Sequence, residues 1–395
     1  MSAVASSPKV ARPYIGGQAV LEGVMMRAPT SFAVVVRRKD GSLLVRERGM
    51  PTARVGYPKW PLVRGVVSLV ESLRLGMEAI RFSSDLYIAD LEAEEARSKG
   101  PPRPGGVMSS ALRALTVALL SVGDGAPGAA APPGAKDKKG GGAVGLVMLV
   151  LVVGLFVALP QAATAGVNRA LNLGLEVQSP GSQAITGFFK LVIVVSYMLL
   201  LRRVPDFRRM FQFHGAEHKT ISTYEAEEEL VLSNARPKTT LHPRCGTTFL
   251  VMVALVSILV FTVIGGALPH LHSGSAIADN LVFFIEKLPF LPVIVALTFE
   301  IQRVFARHCT TGPLRALLWP GFLVQKITTI EPDDSQLEVA LAALRATLFR
   351  ETADAPSRDC EPVDVAFPSY DALAAASQLR PVAAAPGSLA TQAAS

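Results

Sequence analysis

Long runs almost free of charge constrain this chain more than any other feature. Val144–Ala163 and Thr248–Leu268 contain no Asp, Glu, Lys or Arg, and Ile185–Leu201 contains only Lys190. About 20 consecutive apolar residues suffice for a helix to cross the hydrocarbon core of a bilayer, whereas a soluble core rarely needs an uninterrupted stretch of that length. Asn280–Glu300 is a fourth such run, interrupted by Glu286, Lys287, Pro289 and Pro292, and it reads as one kinked span. Pro313–Val324 is too short to cross and reads as an interfacial or buried segment. Half of the 395 residues are hydrophobic and only 18% are charged, which agrees with this reading. The expected fold class is a mainly α-helical polytopic membrane protein with about four transmembrane helices, at about 144–163, 185–201, 248–268 and 280–300.

The loops orient the spans. Arg202, Arg203, Arg208, Arg209, Lys219, Arg236, Lys238 and Arg244 lie between the second and third spans. Only Arg169 lies between the first and second, and the third connection has no Lys or Arg. Basic residues accumulate on the cytoplasmic side, so the central loop and both termini are expected in the cytoplasm. The net charge of +7 is then a topology signal, with some affinity for anionic headgroups. The bilayer is the expected partner. Nucleic acid is not, because no basic patch is interleaved with aromatics. Residues 1–12 contain no apolar core of a cleavable signal. Cys245, Cys309 and Cys360 fall on the reducing side, as thiols, ligands or packing groups rather than disulfides.

Five segments are expected along the chain: residues 1–12 and 349–395 without fixed structure, a small cytoplasmic α+β region at 13–98, a Gly/Pro/Ala linker at 99–142, and a membrane domain at 143–348. In the α+β region, Phe32–Arg38 and Leu43–Arg48 are β-prone runs separated by Lys39-Asp40-Gly41-Ser42, the signature of a hairpin. From Pro61 to about Ala89, Leu62, Val66, Leu69, Val70, Leu73, Met77 and Ile80 recur at helical spacing.

The chemistry is concentrated in His214-Gly-Ala-Glu217-His218, which lies between two spans. Residues four apart share a helix face, so both imidazoles can point at one centre, with Glu217 beside them as a general base. This H-x-x-E-H order suits two metal ligands and a proton acceptor. His242 and Cys245, just before the third span, offer further nitrogen and sulfur donors, and Glu300 offers a carboxylate. Four protein ligands would make a closed structural site; three plus water would leave the open position that hydrolysis requires. Spacing does not choose between them.

Other polar groups have weaker patterns. Gly16-Gly17 and Glu22-Gly23 permit close backbone approach, with Glu22 and Arg27 able to join a polar site or merely flank a turn. Arg64 and Glu71, on the following helix, are candidate buried partners. Glu225 opens an acidic cluster with Glu227, Glu228 and Glu229 that reads as a solvated face or a divalent-ion site. Asp333, Asp334 and Ser335 read as helix-start residues, and Glu331 and Asp333 are outlying site candidates.

The motifs GGQAVLEGVMMRAP, FQFHGAEHKTISTYE, HPRCGTTF and PGFLVQKITTIEPDDSQLEVALAAL together resemble the YqhQ-like family of bacterial integral membrane proteins. That resemblance covers most of residues 13–348 and implies a bacterial cytoplasmic (inner) membrane protein. The family carries the label of a predicted metal-dependent enzyme, which implies a metal role for His214, Glu217 and His218, with His242 and Cys245. The resulting expectation is a metal-dependent hydrolase, with zinc as the cofactor and an unspecified substrate. Two other classes stay open: a transporter or channel, for which Lys190, Glu286 and Lys287 are the relevant charges, and a scaffold with a structural metal. The orientation is testable by cysteine labelling. A cysteine at position 233 in place of Ser233 should be protected from a membrane-impermeant reagent in intact cells, and its modification from outside would overturn the topology.

Overall fold

The structure is a computed structural model describing residues 12–50, 60, 62–97, 150–151, 153–265, 268, 276–308, 313–352 and 361–376. Four strands come first: β1 (Gly16–Val20), β2 (Gly23–Arg27), β3 (Ser31–Arg37) and β4 (Leu43–Gly49). Helices α1 (Val63–Arg97), α2 (Leu159–Ala170), α3 (Pro180–Leu201), α4 (Pro205–Glu225), the one-turn α5 (Leu232–Ala235) and α6 (Gly246–Ile264) follow. Then come α7 (Ala276–Lys287), α8 (Leu291–His308), α9 (Trp319–Thr328), α10 (Asp334–Thr352), β5 (Val363–Phe367) and α11 (Tyr370–Ala375). The described residues are mainly helical, with an antiparallel sheet in the order β1-β2-β3-β4-β5.

The expected hairpin is β3–β4. Arg37 pairs with Leu43, and Gly41 takes φ 87° in the turn, a conformation that costs glycine little. The Gly-rich segment forms a second hairpin, β1–β2, in which Val20 pairs with Gly23. Its turn residue Glu22 is held at φ 53°. Almost every β2 and β3 side chain is buried, because helices cover both faces of the sheet. On one face, Met25, Phe32, Val34 and Val36 pack against Leu75, Ala79 and Phe82 of α1. On the other, Val24, Met26, Ala33 and Val35 meet Phe213 and Ala216 of α4 and Leu337, Leu341 and Leu344 of α10.

Two expectations about chain organisation are corrected here. The N-terminal region is not a unit of its own, since α4 and α10, both assigned to the membrane domain, supply the second layer over its sheet. The tail after residue 349 is not structureless throughout: β5 adds the fifth strand against β4, from Leu43↔Phe367 to Glu47↔Val363. Val365 and Phe367 turn inward while Asp364 pairs outward with Arg46 at 2.7 Å. This short alternation is easily lost in Ala/Pro/Ser-rich surroundings. Helix α10 starts as its sequence suggests. Gln336 N–H donates to Asp333 Oδ1 and Asp333 N–H to Gln336 Oε1, both at 2.9 Å, a reciprocal cap.

Among the described residues, three helical stretches are long and apolar enough to cross a membrane: Pro180–Leu201, Gly246–Ile264 and Val282–Phe305. The third passes through a 3₁₀ turn, Leu288–Phe290, where Pro289 interrupts the helix before α8 begins. The expected span at 144–163 lies partly outside the described residues, as do the linker at 99–142 and its apolar run. Its described part includes a π-helical turn, Gly154–Ala158, leading into α2. Helix α9 has only ten residues and does not span. Arg202, just after α3, donates to the α9 carbonyls of Lys326 and Ile327, and thereby ties the end of α3 to α9.

The segment after α9 crosses α4 at Gly215. A Cβ there would collide with the Ile330 carbonyl oxygen, and Ile330 N–H donates to Phe211 O at 3.0 Å. In an exposed helix, Gly→Ala gains up to about 1 kcal/mol. Here the sign should reverse: Gly215→Ala should cost about 1–3 kcal/mol, because backbone must move to admit the methyl. Thermal unfolding in detergent, against Gly166→Ala on α2, where a Cβ meets nothing within 4 Å, checks this.

Candidate metal centre

The centre is assembled at one end of the membrane helices. Helix α4 supplies His214 and His218 on one face, and α6 begins immediately after Cys245. His214 Nε2 lies 3.1 Å from Cys245 Sγ, and the two imidazole centroids are 4.5 Å apart. One donor atom from each of His214, His218 and Cys245 falls within 4.8 Å of the others.

Each histidine is oriented from behind. His214 Nδ1 is 2.9 Å from Thr328 O, and His218 Nδ1 is 2.5 Å from Thr240 O. A carbonyl can only accept, so Nδ1 donates in both rings, and each Nε2 is left with a lone pair on the side of Cys245 when no proton is shared there. Backbone-anchored Nδ1–H is the usual support of a metal-ligating imidazole. His218 Nε2 is buried and has no hydrogen-bond partner among the described residues. An orphaned lone pair beside a thiol and a second imidazole fits a divalent cation, and the nitrogen and sulfur donors suit zinc.

Charge follows the same geometry. Burial alone would raise the Cys245 thiol, but His214 and His218 outweigh it and hold the thiol well below its ordinary value. Burial would lower His214; the charge of Cys245 and its hydrogen bond reverse this and push the imidazole up to about 9. Without metal, the pair therefore shares a proton as thiolate and imidazolium, and a bound cation would displace that proton. Glu217 is buried and raised above the ordinary carboxylate range by that burial, against the pull of His218 and His214. Its side chain seats against β1: a Cβ on Gly17 would lie 2.8 Å from Glu217 Oε1. The Gly-Gly pair thus makes room for this carboxylate.

The structure separates the remaining candidates. His242 stands near the centre, 5.7 Å from His218 between ring centroids, but its Nε2 faces Glu225 Oε2 at 3.2 Å. Arg244 holds the other Glu225 oxygen at 2.5 Å, so Glu225 is an ion-pair partner rather than part of a solvated face. Burial would raise the Glu225 carboxyl, but His242 and Arg244 together bring it below its usual range. Glu300 is engaged by Arg64, with one bond of 2.6 Å. Glu22 is bidentate with Arg209 at 2.7 and 2.6 Å, and Arg27 pairs with Glu71 at 2.6 Å. Asp333 caps α10, and Glu331 holds the buried Lys219.

Sequence reasoning missed two residues that build the site. Gln325, fully buried on α9, accepts from His242 N–H at 2.8 Å and donates to His242 O at 2.7 Å and to Thr248 Oγ1 at 2.6 Å. Lys219 donates to Arg236 O at 2.7 Å from inside α4 and so ties the loop to the helix. Both lie in motifs already singled out, FQFHGAEHKTISTYE and PGFLVQKITT, where His and Glu drew attention and Lys and Gln did not.

A family model described as "Protein of unknown function (DUF1385)" matches residues 60–350. The chain is also similar to "Uncharacterized protein YqhQ" of Bacillus subtilis (strain 168), with 27% identity over 350 residues. That alignment covers 86% of this chain and 93% of the relative. No solved structure matches.

The proton-sharing pair is directly measurable. In chelator-treated protein with Cys309 and Cys360 replaced by serine, thiolate absorbance near about 240 nm should be present at neutral pH, because a thiol held below its ordinary value of about 8.5 is already ionised there. It should fade only as pH falls through the depressed value. His214→Ala should move the transition upward, since burial then acts with less opposition.

Proposed function

For a chain that belongs to the DUF1385 family, we propose a metal-dependent hydrolase of the cytoplasmic membrane, with its centre at the cytoplasmic face and zinc as the metal. The observation that carries this reading is the convergence of His214 Nε2, His218 Nε2 and Cys245 Sγ, with both Nδ1–H groups consumed by backbone carbonyls. Three protein donors leave a fourth tetrahedral position for water or substrate, the pattern of catalytic rather than structural zinc. When bound, zinc supplies Lewis acidity and activates water near neutral pH.

The chain's own residues supply the rest. Glu217 immediately precedes His218 and follows His214 by three residues, and its seat on Gly17 leaves it outside the donor set, so it is free to take a proton. Burial makes it a stronger base than an exposed carboxylate, closer to the pKa useful at neutral pH. Arg244 and Glu225 lock His242 beside the centre, where it limits access and adds polarity. A second reading uses the His214–Cys245 contact as a thiolate nucleophile with its acid–base partner. The orphaned His218 Nε2, aimed at the same centre, favours the metal.

The shared core also supports a four-span arrangement with the sheet, α4 and α10 on one side of the membrane, the side that the basic loop residues assign to the cytoplasm. Strands β1 to β4, helix α4 and the C-terminal α10 and β5 share one core, so they lie on one side of the bilayer. The chain must then cross an even number of times between β4 and α4. Helix α3 supplies one crossing, and the expected span at 144–163 would supply the other. The α7–α8 stretch and α6 make the second even pair.

The test combines metal content with function. Purified protein should carry near-stoichiometric zinc, and His218→Ala and Cys245→Ser should lose it. Glu217→Gln should keep the metal and the fold yet lose biological function, since a positioned base contributes ~10²–10⁴-fold. Folded, functional protein with no metal would refute the proposal, and full complementation by metal-loaded Glu217→Gln would refute the role of Glu217.

A further inference from the structure

A second polar site lies at the other end of the bundle and does not rest on the metal reading. Gln183 is in the first turns of α3, whereas Leu201 leads toward α4 and the metal centre, about 27 Å further along the helix axis. Around Gln183 the helices line a partly open cavity of about 70 Å³. Gln161, Thr164 and Asn168 of α2, Ser182, Gln183 and Thr186 of α3, and Lys287 of α7 line it. One water needs about 10–15 Å³ of such space, so there is room for several waters or for a small oxyanion.

Lys287 is the unusual member. It is only 8% exposed, and its Nζ donates 2.7 Å to Gln183 Oε1. Phe283 and Phe261 present ring faces to it at 4.0 and 5.0 Å. An ammonium has three donors, and burying a charge is costly unless it is paired. Among the described residues no carboxylate pairs with Lys287. Glu286, its neighbour in sequence, forms no ion pair with it and does not line the cavity. Lys190, two turns from Gln183 on the same helix and therefore on the same face, adds positive charge rather than compensating it. A hydrogen-bonded cation with no counter-ion among the described residues, beside a polar cavity lined by α2, α3 and α7, is what an anionic ligand would complete.

We propose that this cavity binds a phosphate group, with Lys287 as its cation and Gln183 as the residue that positions the ammonium. The location favours the phosphate of a phospholipid, since Gln183 stands in the first turn of the membrane-length α3 and Lys287 five residues beyond the start of the membrane-length stretch Val282–Phe305, within reach of the headgroup layer at that end. The Lys287 ammonium, flanked by the ring faces of Phe261 and Phe283, would meet the phosphate from inside the bundle.

Native mass spectrometry of the full chain in detergent tests the assignment with three probes: phosphatidylglycerol, diacylglycerol as the phosphate-free control, and inorganic phosphate as competitor. Wild-type protein should retain phosphatidylglycerol and not diacylglycerol. Lys287→Met, whose neutral chain suits the same aromatic surroundings, should weaken retention about ten- to a hundredfold, as expected for a lost charge-assisted bond. Lys287→Arg should retain most of it. Displacement of the lipid by millimolar inorganic phosphate would keep the phosphate site but identify the free ion as its ligand. Equal retention of the two lipids by the wild type, with no effect of phosphate, would overturn the proposal without reference to any variant, and so would undiminished retention by folded Lys287→Met. Metal content is read in the same samples and should not change, so failure here is distinguishable from failure at the histidine centre.

Discussion

Two backbone carbonyls, those of Thr328 and Thr240, set what the histidines of this protein can do. Each takes the Nδ1 proton of one imidazole, which fixes the tautomer and aims the opposite nitrogen at Cys245. A histidine pair one helical turn apart is common; a pair with both Nε2 lone pairs turned toward a buried thiol is not. Thr240 and Cys245 lie in the loop before α6 and Thr328 ends α9, so α4 alone does not make the centre. Two further segments, the loop before α6 and the end of α9, must dock on it.

That docking explains residues with no chemistry of their own. Gly215 lets the Ile330 backbone lie against α4 where any side chain would push it away, and this positions the end of α9 that carries Thr328. Gln325 fastens His242 by both its N–H and its carbonyl, and fixes the start of the loop that delivers Cys245. Gly17 opens the seat of Glu217 on β1. The sheet therefore helps to shape the centre: it holds α4 by Phe213 and Ala216 while the opposite face of the helix receives the loop. Loss of these close approaches would disturb the metal geometry even with every donor residue intact, since sites of this kind tolerate displacements of only about 0.5 Å.

The two ends of the bundle present opposite electrostatic problems. At the histidine end, a buried thiol and carboxylate are balanced by imidazoles, with Arg244 and Lys219 neutralising Glu225 and Glu331 at the periphery. At the other end, a lysine is buried with one amide, two aromatic rings and no carboxylate partner among the described residues. Buried charge seldom persists in membrane helices without a role or a partner.

Some of this was legible from the residues alone. Apolar length marked three helices that can cross a membrane, the Asp-Gly turn marked β3–β4, and the four-residue spacing put His214 and His218 on one face, because each of these depends on local periodicity and turn geometry. Cys245 was recognisable as a donor by type, but nothing in its spacing ranked it above His242 or Glu300. Tertiary packing decided that. It gave His242 to Glu225 and Glu300 to Arg64, and left Cys245 facing the imidazoles. It also brought β5 back to the N-terminal sheet across more than three hundred residues, and recruited Thr328 and Thr240 through their carbonyls. Those choices could not be read earlier because every residue has a backbone carbonyl, and only the fold determines which one meets a ring nitrogen.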